Sequence, residues 1–177
     1  MFRHMERLYE ADCHIFHLFN QKNQLLKGMR MITHAGGARF TTITTLFVCL
    51  FSNGLIQQTA FSAFLSLVFS HLIVVLIKRF LPRNRPYLVL PNAFVVENPF
   101  KDHSFPSGHT TAIFSVSFPF MIIYPSLIIP LLLLACLVGL SRIVLGLHYP
   151  SDVLAGATIG MLFGWLSLLL ITSILGY

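Results

Sequence analysis

Eight residues in this chain have types and spacings suited to handling a phosphate, and they fall in three short polar islands. Lys78 is followed seven residues later by Arg85, which precedes Pro86. Phe105-Pro106-Ser107-Gly108-His109 leads into an apolar run. Ser141-Arg142 is followed by His148 and then Asp152. Arg142 is a fixed cation suited to forked contact with an oxyanion. His148 can serve as base, acid or nucleophile near neutral pH. Asp152 lies four residues further on, one helical turn away, where it could orient the imidazole as the third member of a triad does. Ser107 suits a helix N-cap, and Gly108 lets a ligand approach the backbone. A helix start exposes unpaired amides that favour anions, and His109 sits in the first turn beside them. The three cations, the amides, a hydroxyl, two histidines and a carboxylate supply charge, nucleophile and proton donor for metal-free phosphoryl transfer. No group of residues has zinc spacing, and no carboxylate cage suggests magnesium, so no metal or other cofactor is expected.

These islands are embedded in a sequence made for a bilayer. The chain has 177 residues, is 55% apolar and only 10% charged, against roughly 25% charged in ordinary globular chains. Its net charge is +6. The basic residues border apolar runs, which fits anionic lipid head groups better than the polar basic patch of a nucleic-acid binder. Charged residues within membrane-embedded sequence are costly and usually belong to a site.

Charge-free runs set the spans. Between Arg39 and Lys78 lie 38 residues without Lys, Arg, Asp or Glu, enough for two crossings of about 17–20 residues each. Ser52-Asn53-Gly54 and Gln57-Gln58 mark the turn, giving spans of about Phe40 to Leu55 and Thr59 to Ile77. His71, on the second, reads as hydrogen-bonded to a neighbouring helix. From Thr110 to Ser141 another 32 residues lack charge. They make two helices with a turn near Tyr124-Pro125-Ser126. After Asp152, 25 residues run to Tyr177 without charge and form a fifth span. Gly156, Gly160 and Gly164 follow Asp152 on one face of it and permit close helix packing, expected within the chain, with dimerisation through that face as the alternative.

Residues 1–39 have apolar residues at helical spacing (Met5, Leu8, Ile15, Phe16, Phe19, then Leu25, Leu26, Met29, Ile32), with a polar break at Asn20-Gln21. They predict a helical segment lying on the membrane; the alternative is a helical pair packed on the loops. No cleavable signal is evident at the start. Cys49 and Cys136 lie inside apolar runs and read as small buried hydrophobes. The expected fold is a single all-α domain over 1–177: a polytopic membrane bundle of about five transmembrane helices with an N-terminal interfacial segment. Five crossings place residues 1–39, 78–109 and 141–152, and with them all twelve basic residues, on one side of the bilayer.

In order and internal spacing, Lys78 with Arg85-Pro86, Pro106-Ser107-Gly108-His109, and Ser141-Arg142 with His148 and Asp152 resemble the three-part signature of the type 2 phosphatidic acid phosphatase superfamily. The resemblance spans residues 78–152. It implies that His148 attacks phosphorus to form a phosphohistidine and that Asp152 holds it in the reactive tautomer. His109 would protonate the leaving oxygen and then activate water. Lys78, Arg85 and Arg142 would bind the phosphoryl oxygens, with Ser107 and the Gly108 amide assisting and no metal required. The substrate would be a lipid phosphate or diphosphate in the bilayer, such as phosphatidate, phosphatidylglycerol phosphate or undecaprenyl diphosphate. Phosphotransfer to another lipid through the same site, and non-catalytic binding of anionic lipid, are the alternatives. On orientation two arguments oppose each other: the positive-inside rule favours a cytoplasmic active face, whereas the resemblance to bacterial relatives favours an outward one.

Overall fold

A computed structural model describes residues 2–20, 26–96, 99 and 102–175. It is all-helical: α1 (Phe2–Asn20), α2 (Leu26–Ile32) with a 3-10 turn over Thr33–Gly36, α3 (Ala38–Phe51), α4 (Gly54–Phe80), the short α5 (Pro86–Val89), α6 (Gly108–Ile123), α7 (Ile128–Val144) and α8 (Pro150–Leu175). The five apolar helices expected from the charge-free runs are α3, α4, α6, α7 and α8. Gly54–Phe80, Pro125–Val144 and Pro150–Ile174 are long and apolar enough to cross a membrane, and α3 and α6 are shorter apolar helices. The protein is a multi-pass membrane helix bundle.

The turns fall where breakers stand. Ser52 and Asn53 separate α3 from α4, and Tyr124 ends α6 before a 3-10 turn over Pro125–Leu127. Helix α4 is longer than the expected Thr59–Ile77: Gln57 and Gln58, read as part of the turn, lie inside it, since glutamine is a good helix former. At 27 residues it extends about 40 Å at 1.5 Å per residue. Pro130 falls in the first turn of α7, where its missing N–H has no intrahelical role. Pro119 lies within α6 without ending it.

What the bundle buries is small and what it exposes is large. Ser62, Ala63, Ser66, Ser70 and Thr59 of α4 are buried, while Phe47, Leu50, Leu72, Leu133 and Leu154 are exposed. Small residues let helix backbones approach, and large apolar ones face lipid tails. The α8 glycines behave as expected, within the chain: a Cβ on Gly160 would lie 2.7 Å from Phe114 Cβ and from Thr111 O of α6, and one on Gly164 3.0 Å from Phe118 Cβ. Two buried hydroxyls join α4 to α6, with Ser70 Oγ 2.8 Å from Ser115 Oγ. Cys136 departs from expectation. It is exposed on the outside of α7, and Cys49 is only half-buried.

Helix α1 runs to Asn20, and the Gln21 half of the expected polar break lies outside the described residues. Its buried stripe, Asp12, Phe16 and Asn20, follows i, i+4 spacing and seats on the rest of the protein. Leu8, Ile15 and Leu18 stay exposed. The helix therefore presents one polar-containing face to protein and one apolar face outward. Asn20 clamps it down: its amide donates to Phe94 O at 3.0 Å and Val144 O at 3.1 Å, and its Oδ1 accepts from Phe94 N–H at 2.7 Å.

Candidate active site

Helix ends meet at a cavity of about 590 Å³. The starts of α3 and α6, the ends of α4 and α7, and the loop before α8 all contribute to it. Lys78, Arg85, Asp102, His109, Arg142 and His148 line its polar end. The remaining wall is apolar and comes chiefly from α4, including Phe64, Leu67, Val68, Leu72 and Val75. His71 also lines this wall and is exposed.

The loop between α7 and α8 is folded tightly to deliver His148. Helix α7 ends at Val144, and Gly146 follows with φ +78, the left-handed conformation that glycine supplies at helix C-termini. A side chain there would collide with the Phe94 carbonyl. The Leu147 and His148 amides both donate to Arg142 O, at 3.0 and 3.2 Å. The chain then restarts at once as α8. Pro150 occupies its first position, where proline is pre-organised. Asp152 reaches back to accept from the Tyr149 N–H at 2.9 Å, the half of a capping box supplied by an acidic residue.

This geometry fixes the imidazole's chemistry. His148 is 2% exposed. Arg85 Nη1 lies 3.1 Å from His148 Nε2. Arginine has no lone pair to offer, so it donates, and Nε2 is the unprotonated nitrogen. The ring proton then sits on Nδ1, which faces Asp152 Oδ2 at 3.6 Å, longer than a hydrogen bond. Burial first, then the Arg85, Arg142 and Lys78 cations, hold the His148 pKa well below its ordinary value. The imidazole is neutral with its Nε2 lone pair turned toward the cations, as a nucleophile requires.

The three predicted cations line the same cavity as His148, and Arg85 is the one in contact with that nitrogen. Arg85, 2% exposed, also donates to Leu147 O at 2.7 Å, to Asp102 O at 2.8 Å and to Asp102 Oδ1 at 2.7 Å. Lys78 pairs with the other Asp102 oxygen. Arg142, also 2% exposed, donates to Thr33 Oγ1 at 2.6 Å. Burial pushes the Asp102 carboxyl up, but the hydrogen bonds and charges of Lys78 and Arg85 outweigh it and hold the pKa at about 2. Asp102 thus places a carboxylate across two of the cations.

The α6 start carries the remaining predicted residues. Gly108 and His109 line the cavity. Ser107 is the residue at the N-cap position, but its hydroxyl does not cap the backbone. It pairs instead with Thr110 Oγ1 at 2.9 Å and is fully buried. The Ser107 N–H donates to Asp152 O at 3.0 Å, which ties the His109 helix to the Asp152 helix. Ser141 is likewise turned inward, donating to Val138 O at 2.6 Å.

Sequence reasoning missed four participants. Asp102 and Thr33 contact the cations directly. Asp12 and Arg83 lie behind Asp152, with Arg83 Nη1 donating to Asp152 Oδ1 at 2.7 Å and Nη2 to Asp12 Oδ2 at 2.8 Å.

The chain is similar to several known proteins. The chain is 37% identical over 110 residues to a lipid A 1-phosphatase of Rhizobium etli, an alignment covering 60% of this chain and 46% of that protein. It is 38% identical over 65 residues to the undecaprenyl-diphosphatase BcrC of Bacillus subtilis, covering 37% of this chain and 34% of the relative. These alignments span less than half of each curated relative. Among solved structures, Aquifex aeolicus LpxE superposes with a TM-score of 0.77 at 26% identity, over 88% of this chain and 93% of that one. A transmembrane PAP2 type phosphatidylglycerolphosphate phosphatase from Bacillus subtilis superposes with a TM-score of 0.75 at 26% identity, over 91% and 84%. The sequence model of the PAP2 superfamily matches residues 59–174, which take in every cavity-lining cation and both histidines, and the chain therefore belongs to the PAP2 superfamily.

Proposed function

We propose that this protein is an integral membrane lipid phosphatase that hydrolyses a lipid phosphomonoester or diphosphate through a phosphohistidine, without a metal. The observation that carries the reading is the Arg85–His148 contact. It leaves Nε2 unprotonated beside three cations and turns Nδ1–H toward Asp152.

Lys78, Arg85 and Arg142 hold the phosphoryl oxygens, with the Gly108 amide and the Ser107 turn completing the cradle. The His148 Nε2 lone pair attacks phosphorus, a P–N bond forms, and the bond from phosphorus to the leaving oxygen breaks, the lipid oxygen in a monoester or the bridging oxygen in a diphosphate. His109 gives its proton to that oxygen. His109 then takes a proton from water, whose oxygen attacks phosphorus. The P–N bond breaks, and inorganic phosphate leaves. Asp152 stabilises the positive imidazole through both steps. The α4 wall of the cavity suits the hydrocarbon part of a substrate that never leaves the bilayer. The named activities of the relatives, on lipid A, undecaprenyl diphosphate and phosphatidylglycerol phosphate, make those lipids and phosphatidate the panel to test.

Phosphate release from that panel by purified protein in detergent is the direct assay, with His148→Ala as the variant. The expected result is release by the native chain and its loss, by at least about a thousandfold, in a variant that still inserts and melts normally. Unchanged turnover in His148→Ala would reject the mechanism. Transfer to an added lipid alcohol in place of free phosphate would redirect it to a phosphotransferase.

A further inference from the structure

Asp152 is not held by its own helix alone. Its Oδ1 accepts from Arg83 Nη1 at 2.7 Å. The same nitrogen donates to Ser151 Oγ at 2.8 Å, and Nη2 donates to Asp12 Oδ2 at 2.8 Å. Asp12 in turn accepts the Ser151 N–H at 2.8 Å and the Ser151 hydroxyl at 2.5 Å. The Arg83 guanidinium lies 3.9 Å over the Tyr149 ring. Tyr9 and Phe16 of α1 flank that ring, at centroid distances of 6.0 and 6.1 Å. Asp12 is 3% exposed and Asp152 fully buried. Neither Asp12 nor Arg83 is among the residues lining the cavity.

Two carboxylates, from the first helix and the last, are thus bridged by one planar cation. Buried charges persist only when paired, and a fork gripping both sides fixes angle as well as distance. The Asp152 carboxylate has one oxygen held by Arg83 and the other by the Tyr149 N–H. It cannot turn about its own axis without breaking one of these bonds. That matters because the 3.6 Å gap to His148 Nδ1 must close as the imidazole becomes positive. Hydrogen bonds at catalytic groups are often long in the empty enzyme and tighten in the reacting complex.

We infer that Asp12 and Arg83 are positioning residues for the His148–Asp152 pair, so that α1 is a working part of the catalytic apparatus through a relay Asp12–Arg83–Asp152–His148. The inference rests on the functional reading above. It assigns a task to a helix outside the matched family region of residues 59–174.

The test is a cycle of substitutions read by kcat and KM. Asp12→Asn and Arg83→Gln are made in the native chain and again in Asp152→Asn, whose residual rate is the reference, with His148→Ala in parallel. The expected loss in kcat is about tenfold for Asp12→Asn and about thirtyfold for Arg83→Gln, with KM within twofold. Arg83→Lys should recover part of the loss. In the Asp152→Asn background neither change should matter by more than about twofold, because groups acting through a shared partner are non-additive. Glu10→Gln, on the exposed side of α1, should leave the rate unchanged. If α1 is only a structural strut, Asp12→Asn will lower the melting temperature and reduce the rate by the same factor in both backgrounds. That result overturns the inference. Should Asp12→Asn fail to fold, Arg83→Lys and Ser151→Ala carry the same comparison. Retained turnover in His148→Ala would remove the functional reading and this inference with it. An inactive His148→Ala beside an additive Asp12→Asn removes the inference alone.

Discussion

Replacing Gly156 by alanine tests whether the α6–α8 contact sets the catalytic geometry. A Cβ at Gly156 would stand 2.6 Å from Ser107 O, 3.1 Å from Thr111 Oγ1 and 3.3 Å from Thr110 Cβ. Reaching 3.4 Å, where ordinary contact begins, requires the carbonyl to retreat by about 0.8 Å. It is poorly free to do so. Ser107 O accepts from the Thr111 N–H and Thr111 Oγ1, both at 3.0 Å, and the Ser107 N–H is bonded to Asp152 O. The start of α6 must therefore shift as a unit, carrying Gly108 and His109 away from Asp152 and His148. Overpacking of this kind costs about 1–3 kcal/mol. Misplacing a catalytic group by about 1 Å costs on the order of a hundredfold, so kcat should fall roughly ten- to a hundredfold. Phosphate release and thermal melting in detergent measure the two effects. Two other glycines separate them. At Gly164 the clash is with the Phe118 side chain alone, two turns further along α8. Gly164→Ala should cost stability and spare kcat. At Gly28 nothing lies within 4 Å, and alanine there should be neutral or gain up to about 1 kcal/mol of helix stability. If Gly156→Ala loses stability as Gly164→Ala does yet keeps its kcat, the α6–α8 seam does not set the distance between the histidines.

Two further outcomes follow from charge. Burial and the neighbouring cations hold His148 neutral well below its ordinary pKa, so the acid limb of kcat/KM against pH should lie below about 6.5. Lys78→Gln removes one of those cations, raises the imidazole pKa and should move that limb toward higher pH; a limb that stays put refutes the assignment of His148 as the free-enzyme base. Asp102 pairs with Lys78 and Arg85 where a phosphate must bind, and half-exposed pairs of this kind are worth up to about 1 kcal/mol each. Asp102→Asn removes the competing anion and should strengthen inhibition by inorganic phosphate or vanadate about fivefold, whereas weaker inhibition would make Asp102 a support for Arg85.

Much of this architecture was legible because membranes simplify sequence. With no charge between Arg39 and Lys78 or between Thr110 and Ser141, and turn residues at Asn53 and Tyr124, the five apolar helices could be counted directly. Counting crossings then put all three islands on one face, and the cavity gathers Lys78, Arg85, His109, Arg142 and His148 as that count requires. Three of the residues missed, Thr33, Asp12 and Arg83, have partners far away in sequence, while Asp102 pairs within the same polar loop region. Asp12 bonds Ser151 across 139 positions and Arg83 bonds Asp152 across 69. Locally, Asp12 is one acidic residue on an amphipathic helix and Arg83 one of several loop cations. One missed signal was available. Thr59, Ser62, Ala63, Ser66 and Ser70 place small residues at three- and four-residue steps on α4, the same packing code read from the α8 glycines. Ser107 shows the converse error. Its position as an N-cap was readable, but the choice between backbone and the Thr110 hydroxyl depended on the α8 neighbour bonded to its amide.

The charge balance explains why one site needs so many supports. Among the described residues lining the cavity, Lys78, Arg85 and Arg142 stand with one carboxylate, Asp102, an excess of positive charge that suits an oxyanion. Burial and those cations depress His148, and the arrangement is held by further groups outside the cavity lining. Thr33 holds Arg142, the Leu147 carbonyl and Asp102 hold Arg85, and Asp152 is held by Arg83 and the Tyr149 amide. These supports come from the α2–α3 turn, the α4–α6 loop and the head of α8, and Asp12 adds α1 behind Arg83. Preorganised charge of this kind lowers a barrier because it is already in place when phosphorus is attacked. It also means that the membrane-spanning helices alone do not make the site. The turns and loops carry the groups that hold the three cavity-lining cations and His148 in place.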